Sequence, residues 1–168
     1  TIEIAPPLHW EELDRAIDQM RSYDWIIFTS VNGVKFFWQR LSEKVTRPCL
    51  PPALRVCAIG PATANQLEKS GIKVNYMPKE YVAEAVLEGL KKMVIKGSRI
   101  LLARAKVARD VLPTGLRKMG AEVDVVEAYR TVKPRGGSKR LKKILTDMKI
   151  DAIAFTSSST VNHFAELL

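Results

Sequence analysis

Apolar residues come along this chain in short runs bounded by polar ones, each run followed by a stretch in which apolar positions return every three or four residues. The runs at 25–29, 55–59, 73–77, 99–103 and 122–129 read as strands. Between them the spacing predicts helices over 8–20 (Leu13, Ile17 and Met20 on one face), from Ser30 onward (Val34, Phe37, Trp38 and Leu41), and over 62–70, 81–96 and 109–119. Ser30 is placed to cap the second helix, and Pro48, Pro51 and Pro52 break its pattern. Pro61 suits a first helical position, and Gly71, Gly97 and Gly120 stand where helix stops belong. Strands alternating with helices predict an α/β fold, a five-stranded parallel sheet flanked by helices with right-handed crossovers.

One strand pattern occurs twice. Asp24 to Val34 returns 127 positions later at Asp151 to Val161, with the Asp, an Ile, Phe-Thr-Ser and the Val in matching places. The first copy opens a complete α/β domain over residues 8–129. A short β-type arm, residues 1–7, precedes it and ends at Pro6-Pro7. Residues 130–150 hold a linker, Pro134 to Ser138, and a short amphipathic helix carrying Leu141, Ile144, Leu145 and Met148. Residues 151–168 are too few to form a domain, so they are expected to be the incomplete start of a second one, packing poorly or borrowing a partner by chain exchange or dimerisation. The chain opens on Thr1 and ends inside a helical pattern, which predicts a piece of a longer protein.

Composition narrows the class. At 168 residues, 46% hydrophobic and 27% charged, the chain is ordinary globular protein. It has no apolar run long enough to span a membrane and no signal-like N-terminus. Cys49 and Cys57 are expected to be reduced thiols in a cytoplasmic protein, and His9 and His163 have no ligand-spaced partners for a metal. The net charge is +9, and between 130 and 150 eight basic residues face Asp147 alone. Such a run is either a solvated face or a surface for anions.

In a parallel sheet all strands end on one edge. Thr29-Ser30, Gly60-Pro61-Ala62-Thr63 and the segment from Arg104 to Arg109 therefore converge there, each leading into a helix N-terminus that favours carboxylate or phosphate. Ser30 and Thr63 serve equally as plain helix caps; Arg104, Lys106 and Arg109 tilt the balance toward anions, because arginine binds carboxylate bidentately. No GxGxxG, phosphate-binding Gly-Lys-Ser/Thr, Gly-x-Ser-x-Gly or acidic strand-end pair is present. The residues describe a cofactor-free binder of a polyanion. A non-catalytic polyanion-binding or receiver-like module fits the same pattern, although a receiver wants clustered acidic residues and nucleic-acid binding wants aromatics among the basic ones.

Five motifs in consecutive order carry a resemblance. They are Phe28-Thr29-Ser30-Val31-Asn32-Gly33-Val34, Ala58-Ile59-Gly60-Pro61-Ala62-Thr63-Ala64, Leu101-Leu102-Ala103-Arg104 with Ala108-Arg109-Asp110-Val111-Leu112-Pro113, Gly120-Ala121-Glu122-Val123 with Tyr129-Arg130-Thr131-Val132, and the second Phe155-Thr156-Ser157. Together they resemble the uroporphyrinogen-III synthases across essentially the whole chain. The resemblance implies a flavodoxin-like domain inserted into a second similar domain through two connectors, residues 1–7 and 130–150. It implies a cofactor-free, cyclising hydro-lyase of tetrapyrrole biosynthesis. Its small-molecule substrate is hydroxymethylbilane, an eight-carboxylate linear tetrapyrrole, closed to uroporphyrinogen III with inversion of the last ring and loss of water. Selectivity would come from holding one conformer rather than from a strong nucleophile.

On that resemblance Tyr129 corresponds to the family tyrosine near the cleft, a donor to the departing hydroxyl; the alternative is a strand-end aromatic that only packs. Thr63 resembles the substrate-facing threonine. Ser30 and Ser157, with Thr29 and Thr156 beside them, resemble contacts on the two sides of the cleft. Gly60, Ala62, Arg104 and Arg109 complete the expected substrate-binding set. Two positions depart from the pattern: Val31 stands where proline is frequent, and Val82 where a hydroxyl residue often caps a helix.

Overall fold

The computed structural model describes residues 2–94, 96–134, 136–147, 150–155 and 158–167. It has two compact units, Pro6–Arg130 and a smaller one made of Thr1–Ala5 with Thr131–Leu168. The elements, in order, are β1 (Glu3–Ala5), α1 (Glu11–Asp18), a 3-10 turn (Met20–Ser22), β2 (Trp25–Phe28), α2 (Val31–Lys44), β3 (Arg55–Ala58) and α3 (Pro61–Lys69). They continue with α4 (Ala83–Leu90), β4 (Arg99–Ala105), α5 (Val111–Lys118), β5 (Glu122–Val132), α6 (Gly137–Asp147) and α7 (Ser158–Leu167).

The five-stranded sheet runs β1-β5-β4-β2-β3. From β5 to β3 neighbouring strands are parallel, with Ile27 opposite both Cys57 and Leu102. All four residues of β2 are buried, as a central strand covered on both faces requires. One face packs against α4 and α5, where Trp25, Ile27, Ile100, Leu102 and Val123 meet Val86, Leu90, Leu112 and Leu116. The other carries α1, α2 and α3, and there Phe28 meets Phe37 edge to face at 5.3 Å. Gly71, Gly97 and Gly120 all have positive φ, the conformation a helix stop needs.

Two strand expectations are corrected. Residues 73–77 form only an isolated parallel bridge, Cys57 with Tyr76. The side-chain carbonyl of Asn75 accepts the Val56 N–H at 2.8 Å, a bond a regular ladder would give to backbone, and Lys73, Asn75 and Met77 face solvent. The fifth strand of the sheet is instead β1. The helix expected over 81–96 is shorter, Ala83–Leu90. Residues 152–155, the second copy of β2, form no strand and leave Ile153 and Phe155 46% and 39% exposed. Met148 lies outside the described residues, so the amphipathic helix is seen through Leu141, Ile144 and Leu145 of α6.

Helix α1 is tied to α2 by a bidentate pair: Arg40 Nε and Nη2 donate to the two Asp14 carboxylate oxygens, each at 2.7 Å. Those bonds hold the Asp14 carboxyl below the usual carboxylate range. A depressed folded value means that stability is present above the unfolded-chain value and is lost as pH falls through the folded one. Asp14→Asn is therefore expected to cost about 1 kcal/mol at neutral pH, with the difference from wild type vanishing in urea melts below the carboxylate range. Burial pushes the Cys57 thiol up to about 12, whereas Cys49 is exposed. At pH 8 an aromatic disulfide reagent should titrate one thiol in the folded chain and two after denaturation.

Candidate functional site at the carboxyl edge of the sheet

Four helices start at one edge, α2, α3 and α5 after strands and α4 after the bridge at Tyr76, and their first turns differ. Ser30 caps α2 through its side chain, with Gly33 N–H donating to Ser30 Oγ at 3.0 Å. No side chain caps the other three: Gly60 precedes α3, Val82 precedes α4 and Asp110 precedes α5. Without a cap their remaining first-turn N–H groups favour anions, although in α3 Pro61 has no N–H and the Thr63 N–H is bonded to the Gly60 carbonyl. Asp110 is engaged by Arg104 instead, and Pro113, the third residue of α5, has no N–H to offer a cap. Arg104 Nη2 donates to Asp110 Oδ1 at 2.6 Å, and its Nη1 donates to the Arg109 carbonyl at 2.8 Å.

Arg104 is therefore a brace for the loop between β4 and α5, its side chain only 12% exposed. Lys106 and Arg109, on the same loop, are exposed and make no ion pair among the described residues. A cavity of about 170 Å³ opens here, lined by Thr29, Ile59, Tyr81, Arg104, Arg109 and Leu112 among others. Tyr81 lies over Gly60, where a Cβ would stand 3.1 Å from the tyrosine Cγ. Glycine at that position is what lets the aromatic ring approach the start of α3. Ala62 is exposed in the first turn of α3, while Thr63 faces inward at 4% exposure and its N–H is bonded to the Gly60 carbonyl at 3.1 Å.

Tyr129 sits at the neighbouring position along the same edge. The Ser30 and Tyr129 hydroxyls are hydrogen-bonded, oxygen to oxygen 3.0 Å, and the Phe36 ring stacks on the Tyr129 ring with centroids 6.2 Å apart. The backbone fixes which way the tyrosine faces. Val123 and Val125 pack with α4 and α5, and strict alternation would send Tyr129 to that face as well. The β4–β5 register instead steps from Arg104↔Glu127 to Ala105↔Tyr129, leaving Ala128 as the extra residue of a β-bulge. The bulge turns Tyr129 toward α2, as bulges beside sites commonly re-aim a side chain.

Of the expected residues, the fold thus brings together Thr29, Arg104 and Arg109 around one cavity and Ser30 with Tyr129 through one hydrogen bond, with Gly60, Ala62 and Thr63 in the first turn of α3. Thr156 and Ser157 lie outside the described residues. Sequence reasoning missed Tyr81 and Phe36, whose signal was an aromatic residue at the start of one helix and on the strand-facing side of another. It also missed Glu127, whose Oε1 is buried with no hydrogen-bond partner among the described residues. A larger hollow of about 440 Å³ lies at the opposite edge, lined by Glu12, Arg15, Tyr23, Arg117 and Asp124. Some of its polar groups are engaged with each other: Tyr23 donates to Asp124 at 2.6 Å, burial and that bond push the Tyr23 phenol up, and Arg117 holds the Val123 carbonyl at 2.8 Å. Among the described residues no cluster of three His, Cys, Asp or Glu side chains could hold a metal, and no helix is long and apolar enough to cross a membrane.

Comparison with known proteins shows which family this chain resembles. A family model described as Uroporphyrinogen-III synthase HemD matches residues 1–168. A putative uroporphyrinogen-III synthase of Methanothermobacter thermautotrophicus is 37% identical over 174 residues, covering 98% of this chain and 67% of the relative. The uroporphyrinogen-III synthase of Synechococcus elongatus is 34% identical over 170 residues, covering 100% of this chain and 63% of the relative. Crystal structures of uroporphyrinogen III synthase from Thermus thermophilus share the fold at TM-scores of 0.68 and 0.63 and 19% identity, with 64% and 63% of those chains covered. The chain spans about two thirds of the length of the curated relatives it matches.

The loop brace has a direct test. Lysine at position 104 could make one of the two bonds but not both, because its ammonium lacks the guanidinium fork. Arg104→Lys should raise amide hydrogen exchange over residues 106–110 about tenfold, the equivalent of one lost hydrogen bond, and leave exchange in β2 unchanged.

Proposed function

The chain belongs to the uroporphyrinogen-III synthase family, and from that we propose that it acts in tetrapyrrole biosynthesis in the cytoplasm, closing hydroxymethylbilane to uroporphyrinogen III with inversion of the last ring and loss of water. The observation that carries the reading is the pairing of Ser30 with Tyr129 at the edge where three helices begin without a side-chain cap. The substrate is a polycarboxylate, so uncapped helix starts and the cations of Lys106 and Arg109 suit it. Thr29, Ser30, Gly60, Ala62, Thr63, Arg104 and Arg109 form the substrate-binding set in this reading. Arg104 acts through the loop that carries Arg109, and Thr156 and Ser157 are the corresponding contacts from the second copy of the motif.

Tyr129 is the proton donor. Its O–H gives up a proton to the departing hydroxyl, the C–O bond breaks, and water leaves with the bonding pair. The methylene cation is then captured by the last pyrrole at its substituted α-carbon; the bond from that carbon to the neighbouring methylene bridge breaks, the bridge cation so formed bonds the pyrrole's unsubstituted α-carbon, which inverts the ring, and the proton that carbon loses as the ring regains aromaticity returns to the phenolate. Little else is asked of the side chains, because the larger part of the task is to hold one conformer of a flexible chain.

Incubating the chain with hydroxymethylbilane and separating the product isomers tests the reading; only the non-inverted isomer among the products would sink it. Tyr129→Phe should lower kcat by at least about tenfold while shifting unfolding free energy by no more than about 1 kcal/mol, the worth of one neutral hydrogen bond. Unaltered kinetics would return Tyr129 to a packing role.

A further inference from the structure

Building on Tyr129 as the proton donor, we infer that Ser30 is its positioning residue: held by Gly33 N–H, the serine hydroxyl donates to the phenol oxygen and so turns the tyrosine proton outward, toward the substrate. Serine before a helix is usually explained by capping alone. Capping accounts for the bond from Gly33 at 3.0 Å but not for the second bond, from Ser30 Oγ to Tyr129 at 3.0 Å across 99 residues of sequence. A hydroxyl has one proton and two lone pairs. With one lone pair of Ser30 Oγ taken by Gly33, its proton is available for the phenol oxygen, and the phenol's own proton is then not needed in that contact.

Everything around Tyr129 fixes it in the orientation this requires. Phe36 stacks on the ring at an interplanar angle of 15°, which sets the ring plane. The tyrosine carbonyl accepts the Lys106 N–H at 3.0 Å, which ties its backbone to the loop carrying Arg109. The register step at Ala128 sets the face. At 9% exposure Tyr129 reaches the surface only by part of its side chain, so the direction of its proton decides whether a ligand can receive it. Ser30 cannot drift either, because α2 starts pressed against β4: a Cβ at Gly33 would stand 3.2 Å from the Ala103 carbonyl oxygen. The positive end of α2 lies behind the Ser30 bond, and the chain Gly33 N–H to Ser30 O–H to Tyr129 oxygen is oriented to stabilise the negative charge left when the proton departs.

Capping and donation can be separated by substitution. Ser30→Thr keeps both. Ser30→Asp keeps the cap, since a carboxylate accepts from Gly33, but it cannot donate and would draw the tyrosine proton inward. Expected are kcat within about twofold of wild type for the conservative Ser30→Thr and a fall of about tenfold for Ser30→Asp at saturating substrate, with melting temperature nearly unchanged in both. In a Tyr129→Phe background Ser30→Asp should produce no further fall. A slowed Tyr129→Phe beside an unimpaired Ser30→Asp, or full additivity of the two, would overturn the role of Ser30 alone; an unimpaired Tyr129→Phe would overturn the proton-donor reading and this inference with it. Neutron diffraction of the deuterated chain reads the same point without turnover: the Ser30 deuteron should point at the Tyr129 oxygen and the Tyr129 deuteron away from it, and the reverse arrangement refutes the inference.

Discussion

The complete burial of β2 is the constraint from which the rest of the larger unit follows. A strand with apolar side chains on both faces and parallel neighbours on both edges has to be reached by crossovers, and each crossover is a helix that starts where its strand ends. The helix starts therefore accumulate at one edge, whatever the loops contain. What the sequence then chooses is how each start is finished. A serine finishes α2, while glycine, valine and an aspartate already engaged by Arg104 leave α3, α4 and α5 open. An edge of positive helix ends with one hydroxyl among them is a consequence of sheet topology first and of residue choice second.

That division explains what could be read in advance. The strands at 25–29, 55–59 and 99–103 and the glycine helix stops were legible, because a doubly buried strand is a continuous apolar run and a positive φ strongly prefers glycine. The convergence of Thr29, Arg104 and Arg109 was legible for the same reason: it depends on strand ends alone. The segment at 73–77 was misread because its alternation is that of a half-exposed edge, where a few backbone bonds at Asn75 and Tyr76 and one to the Asn75 side chain stand in place of a regular ladder. Bulges have no comparable signature. Nothing in Val-Glu-Ala-Tyr announces that Ala128 is skipped, yet that skip decides which face Tyr129 occupies. Nor did Arg104 announce itself as a brace, since a strand-end arginine followed by Asp110 reads equally as an anion site and as an internal ion pair.

The two copies of the Asp-x-Ile-x-Phe pattern show how far local sequence determines structure here. Both have the composition of a buried strand, and both are followed by a helix. Phe28 is fully buried, held between β3 and β4 and met by Phe37, whereas Phe155 is 39% exposed and residues 152–155 belong to no strand. Phe155 does meet an aromatic partner, Phe164 of α7, edge to face at 5.1 Å, so the strand-to-helix packing of the motif is reproduced locally. What differs is the ladder. A helix satisfies its own backbone and forms in both copies; a strand needs its neighbours' N–H and C=O groups, and the apolar run alone cannot supply them. Ser30 is placed to within one hydrogen bond of Tyr129 because β2 delivers it to a fixed point, so the chemistry proposed for that hydroxyl depends on the two strands that flank β2 as much as on the serine itself.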